Sequence, residues 1–246
     1  MRRNARQLSL PVEVEGKEPG ASSPRRLVLP GVVHVAGWLD PERQRDLVED
    51  FGRWALPPAG LRHPRVRGGH LMSVQSVGLG WHWQPYRYSR TAEDTDGAPV
   101  KPLPSALADL AREAVGEAYG PASAEALDYV PDAAVVNLYG PGARMGLHQD
   151  REERSSAPVV TISLGDTAVF RLAAVDRRTG PFADVELRSG DLLVFGGPNR
   201  LIHHGIPRVM AGTGPDGLGL GPGRLSITVR ETGLTDRRAG TGARRR

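Results

Sequence analysis

Apolar residues repeat with a helical period in two stretches of the first half of the chain. In the first stretch the apolar positions that share one helical face are Leu47, Val48, Phe51 and Ala55. Asp40 precedes the stretch as an N-cap, and Pro41 occupies the first helical position, where a missing N–H costs little. The pattern predicts a helix that begins at residue 41 and ends before the proline pair at residues 57–58.

The second helical stretch covers residues 105–119. Its apolar positions lie on one side and are Leu107, Leu110, Ala111, Ala114, Val115 and Ala118. Gly120 and Pro121 follow and stop the helix. The segments that precede it favour strands instead: residues 27–39 predict a first strand pair, and residues 68–89, rich in aromatic residues and glycine, predict β-hairpins.

Beyond Pro131 the pattern is typical of short strands with turns between them. The strand candidates are AVVNLY, PVVTISLG, TAVFRLAA, ADVELRSGD, DLLVFGG, RLIHHGI and GRLSITVRET. Many short strands at regular spacing predict a sandwich or a barrel. The fold class is therefore α+β and mainly β, with residues 208–223 as a glycine-rich loop between the last two strands.

The same patterns divide the chain into four regions. Residues 1–26 show no periodicity and predict a disordered basic arm. Residues 27–130 form an N-terminal extension that contains the helices, and residues 131–234 form the β-rich core. Residues 235–246 are a basic tail.

Composition excludes several kinds of site. The 246 residues include no cysteine, so disulfides and thiolate metal sites are excluded and a metal would need His, Asp or Glu ligands. Hydrophobic residues make up 39% and charged residues 24%, as in soluble globular proteins. No apolar run approaches the roughly 20 residues that span a bilayer, and no apolar signal segment follows the N-terminal arginines. We expect a cytoplasmic protein that does not bind membranes.

The net charge allows two interpretations. It is +4, and arginine far outnumbers lysine. Arginine binds phosphate oxygens in pairs, which favours a nucleic-acid partner. An arginine preference set by a GC-rich genome explains the same composition, as the abundance of Ala, Gly and Pro suggests.

The segment NLYGPGARMGLHQD at residues 137–150 contains the first candidate chemistry. On a strand, His148 and Asp150 would lie on one face and Gln149 on the other. One imidazole and one carboxylate are two thirds of the 2-His-1-carboxylate triad that holds non-haem Fe(II). An ordinary surface or core histidine is the alternative interpretation of this short pattern.

A third ligand should be a histidine far along the chain. Downstream of His148 only His203 and His204 remain among seven histidines. Adjacent strand residues point to opposite faces, so only one of the two can reach the metal. A buried neutral histidine is the alternative for either residue.

The strand RLSITVR at residues 224–230 alternates strictly. One face is apolar, and the other carries Arg224, Ser226, Thr228 and Arg230. A solvated edge strand would show the same alternation. If the polar face lies inside the barrel, the two guanidiniums need an anion to offset the cost of burial, and 2-oxoglutarate is suitable because it has a carboxylate at each end.

Taken together, these motifs resemble the AlkB family of Fe(II)/2-oxoglutarate-dependent nucleic-acid dealkylases. The resemblance extends from about residue 68 to 233. The motifs that carry it are, in order, N-x-Y-x-P-G-A-x-x-x-x-H-Q-D, SLG, F-G-G, R-L-x-x-H-G-I and R-x-x-x-T-x-R-x-x-G. The resemblance implies a double-stranded β-helix (jelly-roll) core, two supporting helices and an N-terminal β-hairpin that acts as a substrate lid.

The resemblance also implies roles for individual residues. The implied catalytic Fe(II) ligands are His148, Asp150 and His204. The implied 2-oxoglutarate-binding residues are Asn137, Tyr139, Arg224, Ser226 and Arg230, with Arg230 on the distal carboxylate. The implied substrate-binding residues are Trp81, Tyr86, Met72, Glu152 and Arg178, with Trp81 stacked on the flipped base opposite His148; core aromatics are the alternative for Trp81 and Tyr86.

Three positions depart from the family pattern. Ser226 replaces the usual asparagine between the two arginines and is shorter, which puts one co-substrate hydrogen bond in doubt. Phe195 replaces a tryptophan in the turn before the distal histidine. Glu152 is one methylene longer than the family's aspartate, which puts the base preference in doubt.

The implied activity is DNA repair by oxidative demethylation of bases such as 1-methyladenine and 3-methylcytosine, with release of formaldehyde, succinate and CO2. The implied partner is alkylated DNA, preferably single-stranded, with RNA as an alternative, and we expect a monomer. Two other functions stay open. One is an oxygenase of the same chemistry that acts on RNA, protein or a small molecule; the other is a non-catalytic nucleic-acid-binding module.

Overall fold

The structure is a computed structural model that describes residues 24–66 and 68–234. Most of the predicted basic arm, residues 1–23, and the predicted tail, residues 235–246, lie outside the described residues. The last residues of the predicted arm, Arg25 and Arg26, belong to the first strand. The four-part division of the chain stays a prediction.

The two predicted helices form at the predicted positions. Helix α1 is Pro41–Trp54, and the carboxylate of Asp40 accepts a hydrogen bond from the Arg43 backbone N–H. Helix α2 is Ser105–Tyr119 and ends at Gly120, whose φ of 99° suits glycine. A short helix α3, Ala124–Leu127, follows. None of the helices in the described part of the chain is long and apolar enough to cross a membrane.

Thirteen strands are found among the described residues. Their bounds are β1 Arg25–Leu29, β2 Val32–Val35, β3 Gln75–Leu79, β4 His82–Gln84, β5 Arg87–Ser89, β6 Ala133–Tyr139, β7 Met145–His148, β8 Val159–Gly165, β9 Thr167–Ala173, β10 Ala183–Leu187, β11 Leu192–Phe195, β12 His203–Met210 and β13 Arg224–Arg230. A 3-10 helix, Gly197–Asn199, precedes β12. The seven-stranded large sheet has the order β1-β2-β11-β8-β13-β6-β3, and the four-stranded small sheet has the order β10-β9-β12-β7.

Two apolar clusters define the layers. One cluster joins α1 and α2 to the outer face of the large sheet, for example Leu47 and Ala111 with Ile162. The other contains residues of both sheets, such as Phe195 of the large sheet and Phe170 of the small sheet. Facing antiparallel sheets with helices on one outer face form the predicted jelly-roll core with two supporting helices.

Strand β13 lies in the middle of the large sheet, between β6 and β8. All seven of its residues are buried, which excludes the solvated edge strand. Ser226 pairs with Asn137 on one side and with Ser163 on the other. Because partners in register share a face, the polar side chains of β13 line the space between the sheets.

The N-terminal part of the chain contributes to the same architecture. Strands β1, β2 and β3 continue the large sheet at its two edges. Only β4 and β5 stand apart, as a two-stranded hairpin with the register Trp83 opposite Tyr88. We call this β4–β5 unit the lid hairpin, because it is the hairpin that the sequence predicts beside the site.

Candidate active site

Three predicted ligands meet between the sheets. His148 ends β7 and pairs with His204 of β12, and Asp150 lies just beyond the end of β7. One side-chain donor atom from each residue lies within 4.8 Å of the others. The carboxylate oxygens of Asp150 are 3.8 Å from Nε2 of His148 and 3.8 Å from Nε2 of His204. Two imidazoles and a carboxylate that converge in this way form a facial metal site.

Backbone carbonyls orient both imidazoles. Nδ1 of His148 lies 3.0 Å from the carbonyl oxygen of Gly146, and Nδ1 of His204 lies 3.1 Å from that of Ile202. An Nδ1–H that donates to a carbonyl leaves Nε2 free to bind a metal. The neighbouring His203 points elsewhere, with Nδ1 2.8 Å from the carbonyl oxygen of Ala174. His204 is therefore the histidine of the pair that reaches the site.

Burial and neighbouring charges keep His204 and Asp150 in the protonation states that bind a metal ion. Burial and the nearby His148 lower the pKa of His204 to about 3, so its imidazole is neutral at neutral pH. Burial alone would raise the pKa of Asp150, but the charge of Arg230 outweighs it and lowers that pKa. Neutral imidazole and ionised carboxylate are the forms that bind metals.

Phenylalanine rings hold the imidazole of His204 in place. The Phe170 ring is stacked on it at a centroid distance of 5.5 Å, and the Phe195 ring lies 5.0 Å away at an angle of 52°. Phe195 is one of the departures from the family pattern, and it fills the space behind the ligand with an apolar ring.

Arg230 contacts a metal ligand directly. Its Nη2 lies 2.8 Å from Oδ2 of Asp150, and its Nη1 donates to Oε1 of Glu153 at 3.1 Å and to the hydroxyl oxygen of Tyr88 at 2.8 Å. Its buried Nε has no hydrogen-bond partner. The guanidinium is thus next to the metal site, and most of its donors are directed at protein groups.

Arg224 is buried more deeply than Arg230, and fewer of its guanidinium nitrogens have hydrogen-bond partners. It is fully buried, and its Nε donates to Oγ of Ser163 at 2.9 Å. Both Nη atoms are buried without a hydrogen-bond partner, and the Tyr139 ring lies 5.3 Å from the guanidinium carbon. A buried guanidinium is costly unless an anion pairs with it. The residues present therefore fit a carboxylate-bearing co-substrate.

The family model for the 2OG-Fe(II) oxygenase superfamily matches residues 31–230, most of the chain. An alpha-ketoglutarate-dependent dioxygenase AlkB homolog from Caulobacter vibrioides is 40% identical over 209 residues, 82% of this chain and 88% of that protein. The chain belongs to the AlkB family of these oxygenases. It is an Fe(II)- and 2-oxoglutarate-dependent dioxygenase.

Further relatives agree with this assignment. The Escherichia coli protein alpha-ketoglutarate-dependent dioxygenase AlkB is 36% identical over 172 residues, 68% of this chain and 74% of that protein. An Arabidopsis thaliana protein named DNA N(6)-methyladenine demethylase ALKBH1D is 32% identical over 85% of this chain and 51% of its own length. The solved structure of OsALKBH1 superposes with a TM-score of 0.73 at 32% identity, covering 84% of this chain and all of that one.

The residues implied for 2-oxoglutarate lie around one narrow cavity next to the triad. Those that line it are Asn137, Tyr139, Arg224, Ser226 and Arg230, together with His148 and His204. The arrangement differs from the expectation in one respect. Arg230 is paired with Asp150 and Glu153, whereas Arg224 has two buried Nη atoms without hydrogen-bond partners.

A second cavity of about 230 Å³ opens onto His148 and Asp150 of the triad from the side of the lid hairpin. It is lined by Val66, Met72, Trp83, Pro85, Tyr86, Val135, Asn137, Met145, Gly146, His148, Gln149, Asp150, Glu152 and Arg230. The structure thus places Met72, Tyr86 and Glu152, three of the expected substrate-binding residues, around one space beside the metal ligands.

Two expected substrate-binding residues lie elsewhere. Trp81 does not line the cavity: its Nε1–H donates to Asp132 at 3.1 Å, and the Arg90 guanidinium covers its ring at 3.5 Å. Arg178 is exposed, and its Nη2 donates to the carbonyl oxygen of Leu147 at 2.5 Å. The structure therefore does not bring these two side chains to the cavity, and their substrate-binding roles stay predictions.

Trp83 is an aromatic residue of the cavity wall that the sequence interpretation did not name. It lies on β4 opposite Tyr88 and lines the cavity. The segment GWHWQPY contains two tryptophans separated by one residue, which was the available signal. Choosing between them required the register of the lid hairpin.

Proposed function

We propose that this dioxygenase demethylates N-alkylated bases of DNA oxidatively and so repairs alkylation damage. The observation that carries the proposal is the cavity between Trp83 and His148, because it places a flat aromatic wall beside the metal ligands. Aromatic side chains stack on any base and are typical of sites that hold an unstacked nucleotide. The names of the relatives, AlkB and DNA N(6)-methyladenine demethylase, support the same class of substrate.

His148, Asp150 and His204 would hold Fe(II), and Arg224 would bind the distal carboxylate of 2-oxoglutarate. This assignment gives Arg224 the role that the resemblance implies for Arg230, because the Nη atoms of Arg224 are buried without acceptors. Tyr139, against the guanidinium of Arg224, would share that carboxylate. Ser226 and Asn137 line the same cavity and would complete the polar wall.

Fe(II), O2 and 2-oxoglutarate, when bound, supply the oxidation that yields succinate and CO2 and hydroxylates the N-alkyl carbon, after which formaldehyde leaves and the base is restored. The protein orients the base. Trp83 and Tyr86 would stack against it, Met72 would contact its apolar face, and Glu152 would accept a hydrogen bond from its exocyclic amine. Leaving the duplex costs a few kcal/mol, so we expect single-stranded and poorly paired bases to be preferred.

Measurement of succinate and formaldehyde across a panel of oligonucleotides tests the proposal. The panel contains 1-methyladenine, 3-methylcytosine, N6-methyladenine and unmodified bases, in single- and double-stranded DNA and in RNA. We expect formaldehyde equal to the methyl groups removed with at least one methylated DNA, and none with His148→Ala. Stoichiometric succinate with the RNA members alone, or with a methylated peptide or small molecule assayed beside a panel that gives none, would assign the enzyme to that substrate class instead. The expected monomeric state stays a prediction.

A further inference from the structure

A buried chain of polar contacts joins the lid hairpin to the carboxylate ligand of the metal site. Tyr88 of β5 donates its hydroxyl hydrogen to Oε1 of Glu153 at 2.5 Å. Arg230 Nη1 donates to that same Oε1 at 3.1 Å and to the Tyr88 hydroxyl oxygen at 2.8 Å. Arg230 Nη2 lies 2.8 Å from Oδ2 of Asp150. A single side chain, that of Arg230, thus separates the hydroxyl of a lid residue from a metal ligand.

Glu153 is the centre of this chain. Its side chain is fully buried and lies between two guanidiniums, those of Arg230 and Arg200. Arg200 also donates to the backbone oxygen of Asp150 at 3.2 Å and to that of Ala157 at 2.7 Å. Two carboxylates and two guanidiniums therefore balance each other away from water. Removing one member of such a group is costly, because its partners stay buried without their charge pair.

Tyr88 contributes a hydroxyl that stays protonated. Burial raises the pKa of Tyr88, so its hydroxyl remains a donor to Glu153 over the physiological range. The Trp81 ring packs edge-on against the Tyr88 ring at a centroid distance of 6.5 Å, and Trp81 is itself fixed by Asp132 and Arg90. The Trp81 ring thus packs against Tyr88 and not against the substrate cavity.

We propose that Tyr88 and Glu153 are positioning residues that couple the lid hairpin to the metal site. They hold Arg230, and Arg230 holds the carboxylate of Asp150 in the orientation that faces His148 and His204. A lid hairpin that lies against the core therefore strengthens metal binding. By reciprocity, a bound metal and co-substrate hold the hairpin down. The inference depends on the metal site and not on which base, or which polymer, is the substrate.

Anaerobic titration of Fe(II) into protein with saturating 2-oxoglutarate, followed by the charge-transfer absorption of the chelate, tests the coupling without any nucleic acid. Tyr88→Phe removes only the hydroxyl, and we expect its Kd for Fe(II) to rise about 10- to 100-fold, as for other partners of metal ligands. The matched control is Tyr119→Phe, which removes a hydroxyl that donates to the Gly31 carbonyl oxygen at 2.8 Å. Its Fe(II) affinity should equal that of the wild type.

The midpoint of thermal unfolding is measured for each metal-free variant in parallel with the titration. An unchanged Fe(II) affinity in Tyr88→Phe would overturn the proposal, and so would an equal loss in Tyr119→Phe. Glu153→Gln keeps the side-chain volume and removes the charge, so we expect a larger loss than in Tyr88→Phe. If Glu153→Gln does not fold, Tyr88→Phe still decides the question.

Hydrogen exchange of the wild type provides an independent readout. Fe(II) with 2-oxoglutarate should slow amide exchange in residues 82–89, and the effect should be smaller in Tyr88→Phe. Identical exchange with and without these ligands would contradict the coupling. Failure to demethylate any oligonucleotide would remove the proposed substrate and leave these measurements valid.

Discussion

His204 lies directly opposite His148 in the register of β12 and β7, with the two imidazole centroids 4.3 Å apart. Two strands that are distant in the sequence therefore present two nitrogen ligands side by side, and Asp150 completes the set from the end of β7. The adjacent His203 points away from the site and contacts the Ala174 carbonyl oxygen. This pair of neighbouring histidines offers a matched test.

Metal binding should depend on His204 and not on the adjacent His203. Anaerobic Fe(II) at 100 times its Kd should stabilise the wild type by about 2.7 kcal/mol, because the ion binds only the folded state. We expect His204→Ala to lose this stabilisation and His203→Ala to retain it, each compared with its own metal-free form by thermal unfolding. Retention of the full shift in His204→Ala would contradict the assigned ligand set.

Arg224 should be essential for binding 2-oxoglutarate, and its buried charge should destabilise the folded protein when 2-oxoglutarate is absent. Truncation of a buried charge partner typically removes 2–5 kcal/mol of binding, so Arg224→Met should weaken 2-oxoglutarate about 100-fold in isothermal titration with Fe(II) present. The same substitution removes a buried charge without a partner, so the metal-free variant should unfold at a temperature no lower than the wild type. Arg171→Gln, at a partly exposed pair with Asp184, is the control and should bind 2-oxoglutarate normally. Wild-type affinity in Arg224→Met would refute the assignment.

Trp83 should determine the affinity for the substrate base. Stacking contributes about 1–3 kcal/mol per base, so Trp83→Ala should raise KM for a methylated oligonucleotide about 5- to 100-fold. The Fe(II) affinity should stay unchanged, since Trp83 lies outside the Tyr88–Glu153–Arg230 chain. Trp38→Ala, at a half-buried tryptophan beside Arg43, is the matched control. A KM that rises in Trp81→Ala with no change in Fe(II) affinity, but not in Trp83→Ala, would restore the original expectation.

The stability of the metal-free protein should fall as the pH drops below about 6.5. Burial and the charge of Arg62 lower the pKa of His82, so the unfolded state binds a proton that the folded state resists. Stability from this group is present above the unfolded pKa and is lost as pH falls from 6.5 towards the folded value. His204 adds to the slope in the same direction.

Urea unfolding between pH 7 and pH 5 measures this slope. One proton corresponds to about 1.4 kcal/mol per pH unit, and His82→Gln should remove up to that amount from the dependence. His70→Gln, at an exposed histidine, should leave the slope as in the wild type. An unchanged slope in His82→Gln would show that His82 does not resist protonation in the folded state.

Local sequence patterns were enough to predict α1, α2 and most of the strands. Capping and apolar spacing place α1 at Pro41–Trp54 and α2 at Ser105–Tyr119, as predicted, because both depend on residues within a few turns of each other. Most of the strands beyond residue 131 follow from the same kind of pattern, but β7 was not among the strand candidates, and β12 extends to Met210, three residues into the predicted glycine-rich loop. The alternation of β13, however, is compatible with an edge or a central position, and only its pairing with β6 and β8 excludes the edge.

The sequence by itself determined which residue types are available for the site: histidine and carboxylate ligands in the absence of cysteine, and two arginines on one strand. The tertiary structure decided which of similar residues act together. It leaves the Nη atoms of Arg224, but not those of Arg230, without hydrogen-bond partners, and it places Trp83 but not Trp81 at the cavity. It also brings Tyr88 and Glu153 to the guanidinium of Arg230. The physical reason is that spacing along a strand sets only the face of a side chain, whereas its partners depend on strands and hairpins that are far away in the sequence.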